Sequence, residues 1–255
     1  MIKFSKLKKD LGKNALYRFV PMNQNSLQSL INSTLYFSDP HFQNDPIDSS
    51  YILDIGSFPL EYFSLRIKGE DLELITKEFL KAKIDDELKD HFGICCFSDI
   101  YNNILLWSHY SQGATGFCFV FDRVQLMENL EHQNDTMNLK EVHYDKIPVI
   151  RPLLKDEEVI IDYENIVFNK IRQWNYESEV RILCNLQEDR MSEKIREYYY
   201  QPKSLKAILI GERMKSVDIF TIRNIMKLPQ FKHITLHKKV RQEYNPNRFI
   251  YKTLF

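Results

Sequence analysis

The chain has 255 residues, with 35 Lys+Arg balancing 35 Asp+Glu, and 44% of it is hydrophobic and 13% aromatic. That composition fits one folded domain over 1–255 and excludes a disordered polyampholyte or a uniformly basic coat for nucleic acid. No stretch approaches the roughly 20 apolar residues a bilayer needs, so no membrane association is expected. The N-terminus, Met1 to Asp10, is positively charged but lacks an apolar h-region and does not read as a signal peptide. Apolar runs predict strands over 16–20, 35–38, 94–98, 117–121, 141–144, 180–185, 207–210 and 234–237. Helices are expected to start near Ser26, Glu70, Asn103, Arg123, Asp156 and Ser216, with Asp122 capping the one at Arg123. The helix from Glu70 carries Leu72, Ile75, Phe79, Ile84 and Leu88 at helical spacing, a core-facing stripe. Asn44-Asp45-Pro46 and Asn245-Pro246-Asn247 are turn signals. The pattern is α+β in a single domain, with peripheral helices and a helical insertion near 61–92.

Charge is uneven along the chain. Residues 39–99 hold 14 acidic and 6 basic side chains, whereas 203–255 hold 12 basic and 3 acidic. The basic C-terminal part is either a solvated face or a surface for a polyanion such as RNA or DNA. The four cysteines, Cys95, Cys96, Cys118 and Cys184, lie in apolar runs with no Cys-x-x-Cys, which favours reduced thiols in a cytoplasmic protein. With seven glycines the chain has neither a Gly-x-Gly-x-x-Gly fingerprint nor a P-loop. It has no nucleophile elbow and no His-Glu-x-x-His. The histidines are scattered, so no metal is expected.

Four segments carry chemistry. In Tyr17-Arg18-Phe19, an Arg between aromatics is either an edge cation held by stacking or a ligand contact. Tyr36 to Pro46 is a polar loop, either an Asx/Pro turn or a site loop, with Ser38 and Asn44 as candidate contacts. Cys95 to Ser98, followed by Trp107-Ser108-His109-Tyr110, offers Ser98 and an aromatic cluster; Trp107 and Tyr110 would share one helix side and His109 another. Cys95 and Cys96 would point to opposite sheet faces. In Trp174 to Arg181, the alternation of Glu177, Glu179 and Arg181 puts two carboxylates and a cation on one strand face. That is either a surface ladder or a carboxylate that stabilises an oxocarbenium ion.

As a set these motifs resemble an uncharacterised bacterial family, domain of unknown function number twenty-nine seventy-one. Its Tyr-Arg-Phe strand, Phe-Ser-x-Pro…Asn-Asp-Pro loop, Cys-Phe-Ser strand, Trp-Ser-His-Tyr helix and Trp-x-x-Glu-x-Glu-x-Arg segment all occur here, between about 16 and 211. The family's arrangement is in turn similar to the ADP-ribosyltransferases. That resemblance implies a split β-sheet core and a site for NAD as substrate. It places Arg18 (with Tyr17) on the first strand, Tyr110 as the stacking aromatic, and Glu179 as the catalytic carboxylate, with Glu177 orienting the acceptor. Ser38, Asn44, Ser98, Trp107, His109 and Arg181 would complete the NAD contacts. The implied protein is a toxin or phage-defence effector that modifies protein or nucleic acid and is held in check by an antitoxin. Two other readings remain open: a non-catalytic binding module, and a metal-dependent nuclease built on Asp162, Glu179 and Arg181.

Overall fold

Strands rich in Phe, Val, Ile and Leu dominate the centre of the chain, and they pair into one large mixed sheet. The computed structural model describes residues 3–60, 72–189, 193–242 and 245–254. In chain order these form α1 (Phe4–Leu11), β1 (Ala15–Val20), α2 (Gln24–Asn32), β2 (Thr34–Tyr36), β3 (Ile52–Leu53), α3 (Leu72–His91) and β4 (Phe92–Ser98). Next come α4 (Ile104–Tyr110), β5 (Phe117–Asp122), α5 (Arg123–Glu131), β6 (Asn138–Glu141), β7 (His143–Asp145), β8 (Val149–Ile150), β9 (Leu153–Lys155) and β10 (Glu158–Ile160). The rest are α6 (Tyr163–Val167), β11 (Asn169–Ile171), a 3-10 turn Arg172–Glu177, β12 (Glu179–Asn185), β13 (Glu197–Tyr199), β14 (Leu205–Ile210), α7 (Ser216–Ile225), β15 (Thr235–Gln242) and β16 (Asn245–Thr253).

The sheet runs β16-β15-β14-β5-β1-β4-β12-β6, antiparallel throughout except for the β14/β15 pair. Its joints are unequal. β1 meets β5 over six residue pairs and β4 meets β12 over seven, but β1 meets β4 only at Tyr17 and Ser98. The sheet therefore opens between β1 and β4.

Side-chain alternation assigns the two faces. One face is a continuous core: Leu16 of β1, Cys95 and Phe97 of β4, Phe117, Phe119 and Phe121 of β5, and Val180 and Ile182 of β12, covered by Leu30 of α2, Leu126 and Leu130 of α5 and Ile222 of α7. The other face carries two separate clusters. Trp107 of α4 and Phe4 of α1 cover Tyr17, Cys118 and Val120 on one side, and Leu80, Ile84 and Leu88 of α3 cover Ile94 and Leu183 on the other. The opening lies between those clusters.

Several sequence expectations change here. The buried stripe of α3 runs Thr76, Leu80, Ile84 and Leu88, at steps of four, and Phe79 is exposed. Its expected start at Glu70 and the stretch 61–71 lie outside the described residues. Asp156 starts no helix: with Glu157 it takes positive φ in the two-residue turn of the β9/β10 hairpin, and the helix begins after the Asp162 cap. The expected strand 141–144 is two strands. β6 leaves the large sheet at Glu141, and β7 pairs in parallel with β11. Asn245-Pro246-Asn247 begins β16, an edge strand, where a proline is tolerated because no neighbour awaits its missing N–H. An unread helix, α1, packs Phe4 under β16.

Candidate functional site

At the opening of the sheet lies a cleft of about 80 Å³, walled by Tyr17, Phe19, Asn44, Ser98, Leu106, Tyr110, Lys170, Glu177 and Glu179. That is room for several waters or one small ring. Three of these residues form a row across neighbouring strands: Tyr17 of β1 stands opposite Ser98 of β4, and Ser98 opposite Glu179 of β12.

Local sequence explains how the walls are held. The Asn103 side chain accepts from Leu105 N, capping α4, and donates to Tyr176 O at 2.8 Å, which ties the helix to the 3-10 turn. Ser98 donates its hydroxyl to Glu177 O at 2.6 Å, and Asp99 N donates to Ser178 O at 3.0 Å. Ser178 itself adopts φ 43° between the two glutamates. Gly116 ends the Trp-Ser-His-Tyr turn because a Cβ there would fall 2.1 Å from Val20 O.

Both carboxylates converge on a cation that the sequence reading missed. Lys170 Nζ lies 2.7 Å from Glu177 Oε2, 3.2 Å from Glu179 Oε2 and 3.2 Å from Asp48 Oδ2, all four side chains being buried. Burial alone would lower the pKa of Lys170, but Glu179, Asp48 and Glu177 overcome it and raise the pKa above the ordinary lysine value. Glu179 is buried as well, yet Arg181 and Lys170 hold its carboxyl down to about 2. Glu177 moves the other way: burial, reinforced by Glu179, raises its carboxyl against the pull of Lys170. Tyr110 donates its hydroxyl to Glu177 Oε1, and Asn44 donates to the Tyr110 oxygen at 3.1 Å. The pair thus divides into a carboxylate held ionised and one with a raised proton affinity.

The sequence-derived candidates separate into two groups. Tyr17, Asn44, Ser98, Tyr110, Glu177 and Glu179 line the cleft. Arg18 does not: strand alternation sends it to the opposite face, where it donates to Cys95 Sγ and lies 5.9 Å from the Phe97 ring centre, on a central strand and not an edge. Trp107 does not share the side of Tyr110. It is fully buried, donates to Tyr101 O and packs edge-on against Phe19. His109 is exposed on the far side of α4 beside Trp174 and Tyr176. Ser38 pairs its backbone with Ile94 and accepts from Gln43, outside the lining. Arg181 lies behind Glu179, clamped between it, Asp48 Oδ2 at 2.6 Å and Val167 O, so it neutralises Glu179 but not Glu177. Lys170 and Asp48 were illegible because nothing local marks them: Asp48 is 133 residues from Arg181, and Lys170 sits in a three-residue strand. Asp162 caps α6 by accepting from Asn165 N. Among the described residues no group of three or more His, Cys, Asp or Glu side chains could hold a metal ion, and no helix is long and apolar enough to cross a membrane.

Tyr17 carries one further feature. Its side chain is 2% exposed, yet its hydroxyl has no hydrogen-bond partner. A buried polar group without a partner calls for an explanation, and Tyr17 is a lining residue of the cleft.

Residues 106–182 match the model of a family described as protein of unknown function (DUF2971), the family to which the motifs pointed. The matched segment runs from α4 into β12 and contains Tyr110, Lys170, Glu177, Glu179 and Arg181. No curated protein and no solved structure matches the chain.

Proposed function

We propose that the cleft takes the nicotinamide end of NAD and that the chain transfers ADP-ribose to a macromolecular acceptor. The observation that carries this reading is the row Tyr17–Ser98–Glu179 across the opening of a split sheet, with a second carboxylate two residues before Glu179. The resemblance to ADP-ribosyltransferases named Glu179 and Arg18; Glu179 lines the cleft and Arg18 does not, and in this reading Tyr17 takes the first-strand role instead.

The division of labour follows from the pKa directions. Glu179 stays ionised and offers negative charge to a sugar carbon turning cationic. As the bond between nicotinamide and ribose breaks, its electron pair leaves with nicotinamide. The acceptor's lone pair then forms the new bond to the same carbon, and its proton passes to Glu177. The raised proton affinity of Glu177 makes it the better base. The Tyr17 hydroxyl, buried and without a hydrogen-bond partner, is the candidate to bond the nicotinamide amide. The small cleft admits the ring and leaves the remainder of a dinucleotide outside.

The test is nicotinamide release from labelled NAD. Wild type should release it, Glu179→Gln should slow release by about 10²–10³-fold, and Glu177→Gln should slow transfer to the acceptor. No release from wild type, or equal rates from folded variants, would overturn the reading. One observation favours a non-catalytic binding module instead: both Glu179 oxygens are already paired, with Arg181 at 2.8 and 3.1 Å and Lys170 at 3.2 Å. Stabilisation by NAD without turnover would select that alternative.

A further inference from the structure

A second concavity, about 570 Å³, lies between α1 and β16 and is lined by Lys3, Phe4, Tyr101, Ile250, Tyr251 and Lys252 among others. We infer that it binds single-stranded nucleic acid. Two observations converge on this partner.

The first is a set of aromatic rings in mutual contact. Phe4 lies 5.1 Å from Tyr101 and 5.0 Å from Tyr251, and Tyr101 lies 5.4 Å from Tyr251, centre to centre. Tyr251 donates its hydroxyl to Tyr101 O at 3.2 Å, which fixes the ring planes. Tyr101 and Tyr251 are half-buried, and Ile250 beside them is 39% exposed. Bases stack on such surfaces regardless of sequence.

The second is charge. Residues 3–13 contain Lys3, Lys6, Lys8, Lys9 and Lys13 against Asp10 alone, and all five lysines are exposed, as is Lys252 across the groove. Lys8 Nζ lies 4.6 Å from the Tyr101 ring centre, so cation and stacking surface occupy one place. A phosphate backbone following stacked bases needs that interleaving of cations and rings. The basic surface is thus assembled from both ends of the chain and not from the C-terminal part alone.

That the bound strand is also the acceptor rests on the transferase reading; its binding in this groove does not.

The experiment is fluorescence anisotropy of a labelled oligonucleotide of about 15 nucleotides on the full chain without NAD, with single-stranded DNA, single-stranded RNA and duplex arms. Saturable binding is expected for single strands and at least about tenfold weaker binding for duplex, whose bases cannot stack on the rings. Tyr251→Ala should weaken binding by about 5- to 150-fold, and Tyr251→Phe should retain it. The triple variant Lys3→Glu/Lys8→Glu/Lys9→Glu, all surface positions, should lower affinity and flatten its salt dependence. Absent binding, equal affinity for duplex, indifference to both the ring and the lysine variants, or binding only of an acidic peptide would overturn the inference. Its failure would leave nicotinamide release unchanged, whereas Glu179→Gln should slow release and leave oligonucleotide binding intact.

Discussion

Lys170 and Lys239 occupy closely matched surroundings with opposite consequences. Each is almost fully buried, at 5% and 1% exposure, and each lies over one of the chain's two tryptophans, Lys170 4.9 Å from the Trp174 ring centre and Lys239 5.1 Å from that of Trp107. Yet the pKa of Lys170 is raised, and burial lowers that of Lys239 from 10.5 to about 8, with Glu212 only partly opposing. What lifts Lys170 is the ring of carboxylates from Asp48, Glu177 and Glu179, each within 3.2 Å of its ammonium. An aromatic ring softens the desolvation of an ammonium, but only full charges reverse it. One half of the sheet's second face therefore holds an ionic cluster around Lys170, and the other half holds a lysine whose pKa burial lowers.

The sharpest way to break this comparison is to remove both charges. Lys170→Met leaves Glu177 without its buried cation and Asp48 and Glu179 to Arg181 alone, and should cost about 3–5 kcal/mol in urea unfolding. Lys239→Met replaces a desolvated cation with an apolar chain of similar length and should change stability by less than about 1 kcal/mol at pH 7. Comparable losses would mean that the two sites are not energetically different.

The alkaline limb sharpens it further. Lys239 binds its proton less tightly folded than unfolded, so between pH 8 and 10 the unfolded chain holds the extra proton and stability rises with pH. The gain should be about 2 kcal/mol, and Lys239→Met should abolish it. A flat profile in wild type would contradict the assignment. The acid limb has the opposite owner. Glu179, held at about 2 against an ordinary 4.5, contributes stability that is complete above pH 4.5 and lost as pH falls toward 2. His237, pushed by burial from 6.5 to about 4, adds a loss between those values as it is forced to charge.

The smallest effect belongs to Tyr17, which stands where the two regions meet. Tyr17→Phe removes a buried hydroxyl that has no partner and should leave stability unchanged or raise it by about 1 kcal/mol. The same variant should weaken whatever ligand the cleft takes. A clear loss of stability by thermal unfolding would show that the hydroxyl is structurally engaged.

Much of this architecture was legible from residues alone. The apolar runs at 16–20, 94–98, 117–121, 180–185 and 207–210 became β1, β4, β5, β12 and β14 because burial on both faces leaves a run of large apolar side chains no other stable place. Glu177, Glu179 and Tyr110 were legible as a motif, and they meet as expected. Alternation could say that Tyr17 and Arg18 face opposite ways, but not which of them meets the cleft. That choice was made by the single Tyr17–Ser98 pairing between two half-sheets. Nor could sequence supply the cation between the glutamates. Arg181 was the near candidate, yet its geometry ties it to Glu179 and Asp48, and Lys170 arrives from a short strand of a separate ribbon. Local pattern determines which segments are buried, because periodicity is a property of neighbouring residues. Which charges meet inside is decided only when remote segments close on one another, because a buried carboxylate accepts whichever cation the fold brings within reach.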